Sequence, residues 1–358
     1  MNKERLNKVL VQLKENETEQ MIITDPATIF YLTGKWVDPG ERLLALYINI
    51  EGTNRLFLNE LFTVPVDLGV EKVWFSDIED GVSLIAKVTD STKTLGIDKN
   101  MAARFLLRLM ELNSGSTYIN ASKYVDDVRA CKDDEEQKFM KTVSKINDIA
   151  MKEFKGLIKS GITEMEMASQ MEEIYRNLGA DGFSFEPLVG FGKNAAIGHH
   201  SAGNAVLKEG DCVLVDVGCK KDNYCADMTR TFFYKSVTEE QKKVYELVKK
   251  ANETAENMIK PGVRFCDIDQ AARTIISEAG YGAKFTHRLG HSIGIEVHEY
   301  GDVSSANENM VKEGMIFSIE PGIYLEDNFG VRIEDLVLVT KDGMQRLNNY
   351  TKELTIIE

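Results

Sequence analysis

The 358-residue sequence has no long apolar run, no basic cluster and no closely spaced pair of cysteines. No apolar stretch is long enough to span a bilayer, and residues 1–17 lack the apolar core of a signal peptide. We therefore expect no membrane partner and a cytoplasmic location. The net charge of −14, without any run of Lys and Arg, argues against a nucleic-acid partner.

Cysteines and glycine-rich loops exclude further classes of site. The five cysteines are odd in number and form no C-x-x-C pair, which argues against disulfides and against a thiolate zinc site. No G-x-G-x-x-G motif follows a predicted strand, so we expect no phosphate-binding loop of the dinucleotide type. Histidine is absent from residues 1–198, and all five histidines lie between positions 199 and 298, which favours one shared site in that part of the chain.

One motif occurs twice in the second part of the chain. The tripeptide Lys-Glu-Gly stands at residues 208–210 and again, 104 positions later, at residues 312–314. Each copy precedes an apolar run that ends in a carboxylate, Asp216 in the first copy and Glu320 in the second. A carboxylate inside an apolar strand loses its hydration unless it is paired, protonated or bound to a metal. Two acids at matched positions therefore indicate a site that two halves share.

The repeat extends upstream of the tripeptide. Residues 158–162 match residues 259–263, and the helical stretches that follow end at Gly179 and Gly280. A period of roughly 100 residues is too long for a solenoid. It predicts one domain with an internal pseudo-twofold duplication.

The first 125 residues alternate predicted strands with helices, which is typical of an α/β domain with its own core. The predicted strands are Met21–Thr24, Leu44–Asn49, Arg55–Leu58, Lys72–Phe75, Leu95–Asp98 and Thr117–Asn120, and the predicted helices are Lys3–Glu15, Ile78–Val88 and Met101–Leu112. A charged joint follows at residues 126–136, and we place the boundary near residues 128–132. The expected domains are residues 1–127 and residues 128–358.

Five residues of the duplicated part form a candidate metal site. They are four carboxylates and one imidazole, at Asp216, Asp227, His291, Glu320 and Glu334. An oxygen-rich set with one nitrogen ligand suits Mn²⁺, Co²⁺ or Zn²⁺. Four carboxylates exceed the needs of one ion but match two ions roughly 3.5–4 Å apart. The alternative is that these acids pair with buried arginines and hold no metal.

In their order and motif context, these five residues resemble the ligands of the M24 metallopeptidases. The resemblance covers essentially the whole chain and implies a creatinase/prolidase N-terminal domain followed by an α+β catalytic domain of the pita-bread fold. It implies two divalent metal ions, with Mn²⁺ expected first and Co²⁺ or Zn²⁺ as alternatives. Asp216 would bind the first ion, His291 and Glu320 would hold the second, and Asp227 and Glu334 would bridge the two.

The resemblance also implies roles around the ions. Glu320 would carry a proton to the leaving proline nitrogen, and His298 would stabilise the tetrahedral intermediate. His199 resembles the family's second substrate histidine, and its neighbour His200 is the alternative. We interpret His287 as structural.

Three further residues are expected to contact ligands or substrate. Tyr324 and Arg332 resemble residues that orient the metal ligands and the substrate. Trp36, in the loop of residues 36–41, would reach the site of a neighbouring subunit, as the corresponding region does in relatives. A homodimer is the assembly that this resemblance implies.

The implied reaction is hydrolysis of the bond between an N-terminal residue and proline in a small peptide. An Xaa-Pro dipeptidase (prolidase) is favoured, an Xaa-Pro aminopeptidase acting on longer peptides is the alternative, and a metal-free pita-bread binding protein is the remote one. Many prolidases carry proline and then arginine shortly after the histidine that matches His298, where this sequence has Gly301 and Asp302. Because such an arginine can bind a dipeptide's free carboxylate bidentately, the difference weighs against a dipeptidase without altering the catalytic chemistry.

Overall fold

The computed structural model describes residues 1–65 and 67–358. The chain divides into two compact units, Met1–Arg129 and Ala130–Glu358. Across the described residues, no helix combines the length and the apolar character that crossing a bilayer requires.

The first unit contains a mixed sheet among its described residues. Its strands are β1 (Gln20–Ile23), β2 (Ala45–Asn49), β3 (Arg55–Asn59), β4 (Glu71–Phe75), β5 (Thr94–Ile97) and β6 (Thr117–Asn120), in the order β4-β3-β2-β1-β5-β6. Strand β2 is antiparallel to both of its neighbours, and the other pairs are parallel. The strand bounds lie within one residue of those that the sequence pattern predicts. One apolar core packs the sheet against the helices that begin at Gly81 and Ala103.

The helices of this unit are α1 (Lys3–Glu15), α2 (Pro26–Thr33), α3 (Gly81–Ala86), α4 (Ala103–Glu111) and α5 (Ser122–Ala130). The sequence analysis did not predict α2 and α5. The start of helix α2 could have been predicted from its capping residues. The Asp25 side chain accepts a hydrogen bond from the Thr28 amide, and Pro26 occupies the first turn. Helix α5 runs into the segment that we had assigned to a charged joint.

The second unit contains four long helices and several small sheets in its described part. The helices are α6 (Asp134–Lys155), α7 (Glu164–Asn177), α8 (Glu239–Met258) and α9 (Phe265–Glu278). The strands are β7 (Gly182–Phe183), β8 (Leu188–Phe191), β9 (Cys212–Asp216), β10 (Cys219–Lys221), β11 (Tyr224–Cys225), β12 (Thr229–Tyr234), β13 (Gly290–Ser292), β14 (Glu299–Val303), β15 (Ile316–Ile319), β16 (Gly322–Leu325), β17 (Phe329–Arg332), β18 (Asp335–Val339), β19 (Met344–Arg346) and β20 (Ile356–Ile357).

These strands form sheets with the orders β11-β10-β7, β20-β12-β9-β8, β14-β13-β15-β18-β19 and β16-β17. Short 3₁₀ turns lie at Gly192–Ala196 and Gly282–Lys284. Helices α6, α7 and α8 each begin with a capping box, in which the cap side chain and a Glu or Gln three residues later satisfy each other's backbone amides.

The predicted duplication is visible in the backbone. Helices α7 and α9 have 14 residues each, and the longer helices α6 and α8 precede them. Left-handed glycines occur at matched turns with φ between 81° and 89°, at Gly161 and Gly262, at Gly179 and Gly280, and at Gly210 and Gly314. Because only glycine adopts this conformation without strain, the same turns are built into both halves.

A buried asparagine on each long helix ties that helix to an acid-bearing strand. Asn147 of α6 donates to the Val217 carbonyl at 3.1 Å, directly after Asp216. Asn252 of α8 donates to the Ile319 carbonyl at 2.8 Å, directly before Glu320. Both asparagines are fully buried, so these bonds fix the strand ends to the helices. The two halves thus hold their acids in the same way.

Candidate metal centre

The first half brings two carboxylates to one strand pair. Strands β9 and β12 are antiparallel with Asp216 opposite Thr229. Beyond the strand ends, Val217 and Met228 exchange backbone hydrogen bonds at 3.1 and 3.2 Å. This continued pairing brings Asp227 beside Asp216. The spacing of eleven residues predicts a position on the neighbouring strand, but Asp227 lies just before it, between β11 and β12.

The second half supplies the imidazole and two more carboxylates. His291 lies on β13, Glu320 follows β15, and Glu334 stands between β17 and β18. The Glu334 amide donates to the Thr229 carbonyl at 3.1 Å, which joins the second half to the first at the site. The five predicted ligands therefore come from both halves of the second unit and meet at their junction.

The imidazole of His291 is the centre of the cluster. Its Nε2 lies 3.5 Å from Asp227 Oδ2, 3.5 Å from Glu320 Oε1 and 4.0 Å from Glu334 Oε1. Ligand atoms of Asp227, His291 and Glu334 all lie within 4.8 Å of one another. The Nδ1 atom lies 3.2 Å from the Ser292 carbonyl, which can only accept, so Nδ1 carries the proton. The lone pair of Nε2 then faces the carboxylates, an arrangement that a cation between them would satisfy.

Three carboxylate oxygens of the site are buried without a hydrogen-bond partner among the described residues: Asp216 Oδ1, Asp227 Oδ1 and Glu334 Oε1. Burial, reinforced by the charge of Asp216, raises the pKa of Asp227 well above its usual range. Burial, reinforced by Asp227, does the same to the pKa of Glu334. A bound divalent ion would satisfy these oxygens and reverse the pKa shifts, so the residues present fit such a metal.

The raised pKa values predict how the metal-free protein responds to pH. Stabilisation from the protonated Asp227 and Glu334 is complete below about pH 4 and is lost as the pH rises through their folded pKa values. We therefore expect the free energy of unfolding to fall with rising pH, by up to about 1.4 kcal/mol per pH unit for each acid. Urea unfolding of the chelator-treated protein between pH 5 and pH 8 measures this slope. The double variant Asp227→Asn/Glu334→Gln should flatten it, and an unchanged slope would refute the assignment.

Asp216 is paired with a buried arginine, as predicted by the alternative in which the acids hold no metal. Arg332 Nη2 donates to Asp216 Oδ2 at 2.6 Å, Nη1 donates to the Tyr324 hydroxyl at 2.8 Å, and Nε donates to Thr229 Oγ1 at 3.0 Å. No arginine forms an ion pair with Asp227 or Glu334 in the described part of the chain. Pairing with arginine therefore accounts for one acid and leaves two buried acids without an arginine ion pair.

Sequence reasoning missed two hydroxyls that form hydrogen bonds with predicted ligands. Thr229 donates to Glu334 Oε2 at 2.7 Å, and Ser318 donates to Glu320 Oε1 at 3.2 Å while accepting from the His291 amide at 3.0 Å. Ser318 had a readable signal, because it is the single polar residue of the apolar strand β15. Thr229 had none, since its contact with Glu334 spans 105 residues.

His287 belongs to the hydrogen-bonded surroundings of the site. Its Nδ1 lies 2.7 Å from the Arg288 carbonyl, so Nδ1 carries the proton and Nε2 accepts from the Tyr324 hydroxyl at 2.8 Å. Burial lowers the pKa of His287, which keeps the ring neutral. The chain from His287 through Tyr324 and Arg332 to Asp216 orients that carboxylate.

The three substrate histidines predicted from the sequence lie in different settings. The His298 ring meets the His291 ring edge to face at 4.3 Å, and burial, with His291 next, lowers the pKa of His298 to about 4. His199 is exposed and close enough for its charge to lower that pKa as well. His200 Nε2 instead bonds the buried carboxylate of Glu164 at 2.8 Å.

The remaining predicted residues are placed as follows. Trp36 lies in the first unit, half-buried, with its ring 6.0 Å from that of Phe30. Gly301 has a φ of 103°, and Asp302 pairs with His291 across β13 and β14. A proline could not adopt the backbone of Gly301, because its ring fixes φ near −65°.

Family comparisons agree with this geometry. The model for metallopeptidase family M24 matches residues 138–341, and the model for the creatinase/prolidase N-terminal domain matches residues 5–131. The chain belongs to the M24 metallopeptidases. One relative is YkvY of Bacillus subtilis (strain 168), described as a candidate dipeptidase, which is 37% identical and matches over 99% of both chains.

Solved structures of this family match over nearly the full length. The dipeptidase from Pyrococcus horikoshii OT3 is 34% identical, with a TM-score of 0.93 over 99% of this chain and 100% of that chain. The prolidase from Thermococcus sibiricus is also 34% identical, with a TM-score of 0.92 over 100% of this chain and 99% of that one. These matches confirm the predicted fold class, a creatinase/prolidase N-terminal domain followed by a pita-bread catalytic domain, and confirm that the protein is an M24 peptidase.

Proposed function

We propose that this M24 peptidase is a dinuclear Xaa-Pro dipeptidase, which hydrolyses the bond between an N-terminal residue and proline. The observation that carries the proposal is the buried group of Asp227, His291 and Glu334, with the His291 lone pair and unpartnered carboxylate oxygens facing one another. Relatives described as dipeptidases and prolidases support the substrate class.

The charge of the site supports two ions over one. Asp216, Asp227, Glu320 and Glu334 carry four negative charges when ionised. Among the described residues, Arg332 is the one arginine that forms an ion pair with this group. One divalent ion would leave the buried group negative, whereas two would make it slightly positive and able to attract the carbonyl oxygen of a peptide. Mn²⁺ is the metal that we propose first, with Co²⁺ and Zn²⁺ as alternatives, because carboxylate-rich sites suit it.

The protein's own residues divide the work around the ions. Asp216, Asp227, His291, Glu320 and Glu334 would hold them, and the bound pair would polarise the scissile carbonyl and acidify water to near neutrality. The proline nitrogen of an Xaa-Pro bond bears no N–H and must gain a proton to leave. Glu320, with 16% of its side chain exposed, would carry that proton. His298 and His199 would donate hydrogen bonds to the substrate carbonyl.

A free guanidinium near His298 supports the dipeptidase over the aminopeptidase. Arg288 is exposed, its charge helps to lower the pKa of His298, and its side chain has no ion-pair partner in the described part of the chain. Arg288 could bind the carboxylate of a dipeptide. It would then take the role of the arginine that many prolidases carry in the stretch where this sequence has Gly301 and Asp302. A charged hydrogen bond of this kind contributes about 1.5–3 kcal/mol, roughly 10–100-fold in affinity.

Product analysis after metal removal and Mn²⁺ reconstitution tests the proposed function. We expect proline release from Ala-Pro and little cleavage of Ala-Pro-Ala. Alanine release from Ala-Pro-Ala would instead establish an aminopeptidase, and a protein that binds no metal would favour the metal-free binding protein.

The variant Arg288→Gln should lower kcat/KM for Ala-Pro about 10–100-fold. The exposed Arg176→Gln serves as the matched control, and equal losses in both variants would rule out Arg288.

The homodimer remains part of the proposal, with Trp36 as the residue to test. If the loop of residues 36–41 reaches the site of a neighbouring subunit, Trp36→Ala should lower activity while the metal content stays unchanged. Sedimentation analysis of the parent protein gives the assembly state independently. Unchanged kinetics in Trp36→Ala would remove this loop from the mechanism.

A further inference from the structure

Glu164 is a fully buried carboxylate outside the metal cluster. It is the first residue of α7, and its side chain has no exposed surface. Helix capping does not explain it, because Thr163 and Glu166 already form the capping box at this end of α7. A buried carboxylate of this kind is retained only where partners compensate its lost hydration.

The partners of Glu164 all lie in one segment of the chain. Its Oε1 accepts from the Phe191 amide at 2.8 Å and from Asn194 Nδ2 at 2.9 Å. Its Oε2 accepts from His200 Nε2 at 2.8 Å and from the Gly203 amide at 3.0 Å. Four donors fill the accepting positions of the two oxygens, so the carboxylate is saturated.

These bonds hold both ends of the turn that presents His199. Residues 191–194 precede the turn and residues 200–203 follow it. The His200 amide donates to the Ile197 carbonyl at 3.2 Å, which closes the turn around His199. The Met165 amide at the start of α7 donates to the Gly203 carbonyl at 3.0 Å, so the helix end fixes the same segment.

The adjacent histidines His199 and His200 therefore have different roles. His200 points its Nε2 proton at Glu164, while His199 remains exposed beside His298. We propose that Glu164 and His200 form a positioning pair that fixes the His199 turn for contact with the substrate carbonyl. This inference rests on the proposed role of His199 in the peptidase site, and it assigns His200 to positioning in place of substrate binding.

A double-mutant cycle with His199 tests the positioning role. Glu164→Gln keeps the shape of the side chain but replaces an accepting oxygen with a donor that faces other donors. We expect it to lower kcat about 10–100-fold, in the range of lost supporting contacts, with metal content unchanged. In a His199→Ala background the same change should cost less than about twofold, because its effect passes through His199. If the double variant lost kcat by the product of the two single-variant factors, the inference would be overturned.

Three further variants keep the test decisive. Glu166→Gln on the same helix removes one negative charge but keeps an oxygen for the capping box. It should leave kcat unaltered, which controls for the loss of a carboxylate at this end of α7. His200→Leu removes the fourth donor, and His200→Gln restores an N–H; we expect the first to lose activity and the second to recover part of it. These variants also decide the question if Glu164→Gln fails to fold.

Amide hydrogen exchange of residues 197–203 gives a readout that does not depend on the substrate. Glu164→Gln or His200→Leu should speed this exchange about tenfold or more, while Glu166→Gln should not. If the parent enzyme cleaves no Xaa-Pro peptide, the proposed function fails while faster exchange still supports the positioning pair. Unchanged exchange in both the Glu164 and His200 variants would refute the pair, whatever the substrate is.

Discussion

Replacing Asp227 by asparagine is expected to lower kcat/KM for an Xaa-Pro dipeptide by more than about 100-fold. Loss of a supporting contact around a metal ligand already costs about 10–100-fold, and Asp227 would itself bridge both ions. The asparagine keeps the size of the side chain and can still ligate through one oxygen, but it removes a negative charge. We expect the bound metal to fall from about two equivalents to one or fewer.

Metal analysis and thermal unfolding together measure this effect. The metal-loaded variant should lose most of the stabilisation that added Mn²⁺ gives the parent. The matched control is Asp342→Asn, an exposed acid in the turn before β19, which should leave both readouts unaltered. Full metal occupancy and full activity in Asp227→Asn would mean that this carboxylate is not a ligand.

The second large effect is expected at His298. His298→Ala should lower kcat about 10²–10³-fold, the loss that follows removal of one hydrogen-bond donor to a developing oxyanion. Metal content should stay at the parent value, since the His298 ring packs edge to face against the His291 ring, with ring centroids 4.3 Å apart, and makes no hydrogen bond to a carboxylate among the described residues. This separates His298 from the ligands, whose loss removes both metal and activity.

A conservative variant sharpens that result. His298→Gln retains an N–H donor near the position of the imidazole, so part of the lost kcat should return. The measurement is steady-state kinetics on Ala-Pro for the parent and both variants, with metal content determined in parallel. Equal losses in His298→Ala and His298→Gln would point to packing against His291 as the role of this ring.

The duplication and the ligand set were predicted from sequence because each leaves a local trace. The repeated Lys-Glu-Gly marks the turns at Gly210 and Gly314, whose left-handed backbones only glycine adopts easily. An acid that ends an apolar strand is costly to bury, so Asp216 and Glu320 stood out in their runs. The residue order alone could not show that the ligands converge. That convergence needs the Glu334 amide to meet the Thr229 carbonyl across the two halves.

The supporting residues left weaker traces. Asn147 and Asn252 lie on helices. From sequence alone, an asparagine in a helix would be assigned to the surface, because its tertiary hydrogen bonds are visible only in the folded structure. Glu164 reads as an ordinary acid in a first helical turn, a position that the helix dipole favours in any protein. Its four donors lie 27 to 39 residues away, and only the folded chain brings them to one carboxylate.

The sequence by itself pointed to the family and the two-part fold class through its resemblance to the M24 metallopeptidases, and it predicted the residues that could bind metal. Periodicity, glycine turns and costly acids indicated the duplication and the candidate ligands, because they are local properties of the chain. Only the tertiary structure decided what each polar group faces. It paired Asp216 with Arg332, set the His291 lone pair toward the acids, and separated His200 from His199. Hydrogen bonds depend on distances of a few ångströms between residues far apart in the chain, and packing alone sets those distances.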